Sequence, residues 1–91
     1  MDKSDVFKTV ATEVANALRV DIDCIEPDTF LIGDLGAESI DLVDLTFRIE
    51  KAFQIRIPEG ELFEGSSPLP ENLRIRDVVT YIDETLSKRH S

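Results

Sequence analysis

Tryptophan is absent from these 91 residues, and cysteine, histidine and tyrosine occur once each. A lone Cys24 rules out an internal disulfide and a multi-cysteine metal site, and reads as a reduced, partly buried small hydrophobe. The lone His90 stands in the terminal basic tail Lys88-Arg89-His90-Ser91, where no ordered Ser-His pair for hydrolysis is expected. No Gly-rich phosphate cradle ending in Lys is present. No apolar run is long enough to cross a bilayer, and Met1-Asp2-Lys3-Ser4-Asp5 lacks the basic-then-apolar order of a secretory signal. The expectation is a cytoplasmic chain without stable membrane association. Positive charge is also scarce, 10 basic against 19 acidic residues, and a net −9 would repel the phosphates of a nucleic acid.

What is present suits one compact domain spanning 1–91 with its core from about 4 to 87, expected to be a monomer: 42% of residues are hydrophobic and 32% charged. The acidic excess is concentrated. Between Asp21 and Glu50 stand nine acids and one base, Arg48, which accounts for −8 of the −9. Such a face keeps a protein soluble, and it also serves as a landing surface for basic partners, faster at low salt. Asp21 and Asp23 open like a calcium-binding loop. Ile25, Glu26 and Ile32 then occupy its third-ligand, glycine and glutamate positions, leaving only loose cation binding by the acidic face.

Apolar spacing predicts an all-α fold. Helix one is expected to start at Ser4 and run to about Arg19, burying Val6, Phe7, Val10, Val14, Ala17 and Leu18. Pro27, Gly33 and Gly36 mark Val20 to Ala37 as a long ordered connection, pinned by Ile22, Ile25, Phe30, Leu31 and Leu35. A second helix is predicted over Ser39 to Phe53, with Leu42, Leu45, Thr46, Ile49, Ala52 and Phe53 inward. Asp41, Asp44, Arg48 and Lys51 fall on the opposite side. Ile40, Val43 and Phe47 form a separate strip, with Val43 expected inside and Ile40 and Phe47 at the rim as a contact patch. Ile55 and Ile57 should plug into the core, Glu59 to Glu64 should form a short helical turn with Leu62 and Phe63 inward, and residues 65–72 read as loop. A last helix is predicted from about Ile75 to Ser87, with Asn72 as a possible earlier cap.

Ser39 stands at the predicted start of helix two, directly after a Gly-containing turn. Capping is the ordinary task of a serine there. Its surroundings, Asp34-Leu35-Gly36-Ala37-Glu38-Ser39-Ile40-Asp41, resemble the Asp-Ser-Leu modification motif of acyl carrier proteins and related thiolation domains, with Glu38 for Asp and Ile40 for Leu. The loop Ile25 to Gly36 also resembles that family's, and the likeness extends from about Val20 to about Leu86. It implies a small four-helix bundle of three main helices and one short one, with a long loop between helices one and two. It also implies that Ser39 is no catalytic nucleophile but the attachment point of a covalent 4'-phosphopantetheine, added by a phosphopantetheinyl transferase. The chain would then carry acyl intermediates as thioesters to fatty-acid, polyketide or lipid-modifying enzymes with basic docking patches, through Glu38, Ile40, Asp41, Asp44 and Phe47 on a recognition helix. An acyl chain would shelter among side chains such as Phe30, Leu45, Ile49, Ile57 and Leu62. The chain departs from the family where Pro58 to Ile75 encloses sixteen residues, several more than usual. Arg48, Lys51 and Arg56 add positive charge where many fatty-acid carriers have none. An unmodified acidic adaptor, binding a basic partner through helix two, is the rival reading.

Overall fold

The structure, a computed structural model, describes residues 2–57 and 73–89. Three α-helices organise them: α1 (Lys3–Leu18), α2 (Ser39–Phe53) and α3 (Ile75–Arg89), with a single 3-10 turn at Ile22–Cys24 in the connection between α1 and α2. The all-α expectation holds. The short helix expected at Glu59 to Glu64, with Leu62 and Phe63, lies outside the described residues, as do Asn72 and His90.

The first helix begins before Ser4. Asp2 is extended, with φ −69° and ψ 152°, and its carbonyl already accepts the Val6 N–H at 3.0 Å, so Asp2 is the N-cap and Ser4 lies inside the first turn. The helix stops at Leu18 because Arg19 turns left-handed at φ 57°, its N–H returning to the Ala15 carbonyl. Gln54 ends α2 the same way at φ 54°. α3 runs two residues past the expected Ser87, to Arg89.

Helix α1 is the centre of the packing. It lies against both α2 and α3, whose backbones among the described residues approach α1 more closely than they approach each other. Its stripe Val6, Val10, Ala11 and Val14 is buried against Leu42, Leu45 and Ile49 of α2 and Ile75, Val78, Val79 and Ile82 of α3 in one apolar cluster. Removing each of these larger side chains from water contributes about 1.5–3 kcal/mol. Phe7, Ala17 and Leu18 are half-buried at its edge. Ile57 enters the core as expected, and Glu50 Oε2 accepts its N–H at 3.0 Å, which seats the extended link after α2; Ile55 is half-buried.

The long connection is held by the start of α3. Leu31 N–H bonds the Leu73 carbonyl at 3.0 Å, Ile75 N–H bonds Thr29 at 3.0 Å, and Arg76 N–H bonds Pro27 at 2.9 Å. Around these bonds the Arg76 guanidinium pairs with Asp28 at 2.7 Å, and that of Arg74 stacks 4.6 Å over the Phe30 ring. Arg74 N–H is itself held by Asp77 Oδ2 at 2.9 Å, which closes the first turn of α3. Two apolar anchors, Ile25 and Leu31, are buried. Ile22 is not, and neither is Cys24: both are exposed on the 3-10 turn, contrary to the expectation for each, because the turn faces them outward.

Candidate functional site

The chain reaches Ser39 through a tightly bonded corner. Asp34 folds back on Phe30, its Oδ2 accepting the Phe30 N–H at 2.8 Å while its own N–H bonds the Phe30 carbonyl at 3.1 Å. Gly36 follows at φ +69°, a region that L side chains enter at a cost of roughly 1–2 kcal/mol, which is why glycine stands there. Ala37 then turns inward, buried, with its N–H on the Leu31 carbonyl at 3.1 Å. With residue 37 anchored inside, the next two emerge into solvent, and Glu38, Ser39 and Ile40 are all exposed.

Capping of α2 does not fall to Ser39. Glu38 is the N-cap and forms a capping box with Asp41, whose Oδ2 accepts the Glu38 N–H at 3.0 Å. Ser39 is the first helical residue, its hydroxyl not needed to satisfy the helix end. Asp41 is accordingly half-buried and structural as well as acidic, not the freely exposed charge that its position on the helix wheel suggests.

Beyond the serine, α2 shows solvent an apolar strip. Ile40 is 73% exposed, Phe47 61% and Val43 41%. Ile40 and Phe47 are more open than a rim, and Val43, expected inside, is outside: the helix turns Leu42, Leu45 and Ile49 to α1, and no described element covers the next strip round. Ala52 is likewise exposed rather than inward, and Thr46 is half-buried with its hydroxyl on the Leu42 carbonyl at 2.8 Å.

The acidic surface is also less uniform than the charge count suggests. Asp44 is bonded at 2.8 Å by Arg48 Nε, and the same guanidinium reaches to 4.0 Å from Glu13 on α1. The hydrogen bond to Asp44 and its charge raise the pKa of Arg48 further above the usual arginine range. Among the described residues no three metal-binding side chains come together, and Asp21 is used locally, accepting the Asp23 N–H at 3.1 Å. Among the described residues no helix is long and apolar enough to cross a membrane.

Ser39 is thus an exposed residue on a hydrogen-bonded corner, beside acidic and exposed apolar side chains. The chain matches the family model described as "Phosphopantetheine attachment site" over residues 8–69, which includes the whole corner and α2. It is 36% identical over 90 residues to the acyl carrier protein AcpXL of Brucella melitensis, covering 94% of this chain and 97% of that one. To the acyl carrier protein of Campylobacter hominis it is 39% identical over 84 residues, covering 92% and 96%. The AcpXL of Mesorhizobium japonicum is 30% identical over 90 residues, with 94% and 97% covered. The chain belongs to the acyl carrier protein family, whose members carry rather than catalyse and whose prosthetic group is a covalent 4'-phosphopantetheine.

Proposed function

We propose that Ser39 bears the phosphopantetheine and that this chain delivers acyl cargo to partner enzymes. The observation that carries this reading is the division of labour at the start of α2: Glu38 and Asp41 close the helix end, and the hydroxyl between them is exposed and spare. The residues fit the group. A phosphodiester on Ser39 would lie at the first turn of a helix, where unpaired amides and the helix dipole favour negative charge. Once attached, the arm supplies a terminal thiol on which acyl cargo rides as a thioester.

The protein's own part is physical. The Asp34 latch, Gly36 and buried Ala37 fix where the serine stands, so an incoming transferase meets one geometry instead of a mobile loop. Glu38, Asp41 and Asp44 draw basic partners, and Ile40 and Phe47 supply apolar contact once they arrive. Leu45, Ile49 and Ile57, buried in a thin core, are the side chains whose separation would shelter an acyl chain, with half-buried Phe30 at the loop. Expected partners are a phosphopantetheinyl transferase and acyl-loading and acyl-transferring enzymes. The chain acts as a single cytoplasmic, monomeric domain with fatty-acyl cargo first in rank.

Intact-mass measurement after incubation with coenzyme A and broad-specificity phosphopantetheinyl transferases tests the proposal. The wild type gains one arm and Ser39→Ala gains none. A wild type that gains no mass with several transferases would instead indicate an unarmed adaptor using the same exposed strip.

A further inference from the structure

The docking face of α2 is not acidic along its whole length. Glu38 and Asp41 stand at its N-terminal end, Asp44 shares an exposed ion pair with Arg48 halfway along, and Lys51 is exposed one turn beyond Phe47. Ile40, Val43 and Phe47 run between the two ends over about 10 Å, at 1.5 Å per residue. At the far end a groove of about 460 Å³ is lined by Phe47 and Ala52, by Arg48 held between Asp44 and Glu13 of α1, and by Lys51. Acids early and bases late in a helix complement its dipole, and that alone explains the charge order. It does not explain a phenylalanine left 61% exposed beside the groove, or an arginine that reaches across to a second helix.

From this juxtaposition we propose that α2 selects a partner protein of mixed charge. Such a partner offers a basic residue to Glu38 and Asp41, an apolar side chain to the groove beside Phe47, and a carboxylate to Lys51. Charge complementarity decides the occupant: a uniformly basic surface meets attraction at Ser39 and repulsion at Lys51, and so is disfavoured in register. The inference rests on the carrier reading only in assigning α2 as the docking helix. A second copy of the chain has the same dipolar face, but one narrow strip about two turns long is small for a stable dimer, and each copy carries −9.

Two designed amphipathic helical peptides with the same leucine stripe test the proposal, one flanked by lysine at both ends, the other by lysine at one end and glutamate at the other. Fluorescence anisotropy compares the wild type with Lys51→Glu, and with Lys8→Glu on exposed α1 as a variant of equal net charge. Lys51→Glu should weaken the mixed peptide by about three- to tenfold and tighten the all-lysine peptide, while Lys8→Glu changes the two alike. Phe47→Ser should weaken both. Equal effects of Lys51→Glu and Lys8→Glu on both peptides would overturn the proposal. So would a concentration-dependent dimer in sedimentation that Lys51→Glu abolishes, since the face would then belong to a second copy. Intact mass after arm attachment is read on the same samples, so failure here with normal modification counts against the mixed-charge face alone, and failure of modification counts against the carrier reading.

Discussion

Asp41 Oδ2 accepts the backbone N–H of Glu38 at 3.0 Å, so the two acids flanking Ser39 are tied to each other across it. Each serves two purposes: holding the first turn of α2 and colouring the surface around the serine with negative charge. The acids of α2 are therefore not equivalent, and substitution should separate them.

Asp41→Lys removes the capping bond and should lower stability by about 0.5–2 kcal/mol. Asp44→Lys breaks only an exposed pair with Arg48 and should cost under about 0.5 kcal/mol. Both should slow arm attachment. Urea unfolding monitored by circular dichroism, beside a time course of mass gain, separates the two effects; equal stabilities for the variants would contradict the capping role.

Asp34 touches neither Ser39 nor solvent-borne partners in this scheme, yet its bond to Phe30 N–H closes the corner. Asp34→Ala should cost about 0.5–1.5 kcal/mol, the net range for a hydrogen bond that water can replace, and reduce the rate of modification without altering the hydroxyl itself. Asp34→Asn keeps an acceptor and should recover most of both. Loss of rate in the alanine variant with unchanged unfolding would point away from the latch.

Gly36→Ala isolates backbone strain, because an added Cβ meets nothing within 4 Å while φ stays at +69°. The expected loss is about 1–2 kcal/mol in chemical denaturation. A neutral substitution would show that the corner relaxes to negative φ.

The exposed strip and the core beneath it should respond in opposite ways. Ile40→Ser and Phe47→Ser are expected to change stability by no more than about 0.5 kcal/mol while weakening partner binding. Leu45→Ala, fully buried, should cost about 2–5 kcal/mol, a large part of what a domain of this size has. Calorimetric melting of the three variants distinguishes surface from core directly.

Cys24 should react with a thiol reagent in the native protein as fast as in urea, since its side chain is exposed on the 3-10 turn. Slow native labelling that urea accelerates would restore the partly buried cysteine that composition alone suggests.

Local pattern made the helices legible. The span Ser39–Phe53 follows from apolar spacing and agrees with the structure at both ends, and the carrier motif placed the candidate serine at the start of α2. Side-chain duties were harder to read. Asp34 and Asp41 look like plain surface charge in a sequence, because the amides they bind become partners only once the corner has closed. Val43 has a core-like spacing, and only the position of α1 decides that it faces outward. Arg74 over Phe30 and Arg76 on Asp28 join residues more than forty apart, which no local pattern encodes.

Those long-range bonds, from Pro27, Thr29 and Leu31 to residues 73–76, make the serine's corner depend on the start of α3. A nascent chain that has not yet contributed Leu73 to Arg76 leaves three backbone groups of the loop unsatisfied and the turn before Ser39 unsupported. On the carrier reading, a transferase would meet a supported serine only once residues 73–76 have joined the loop.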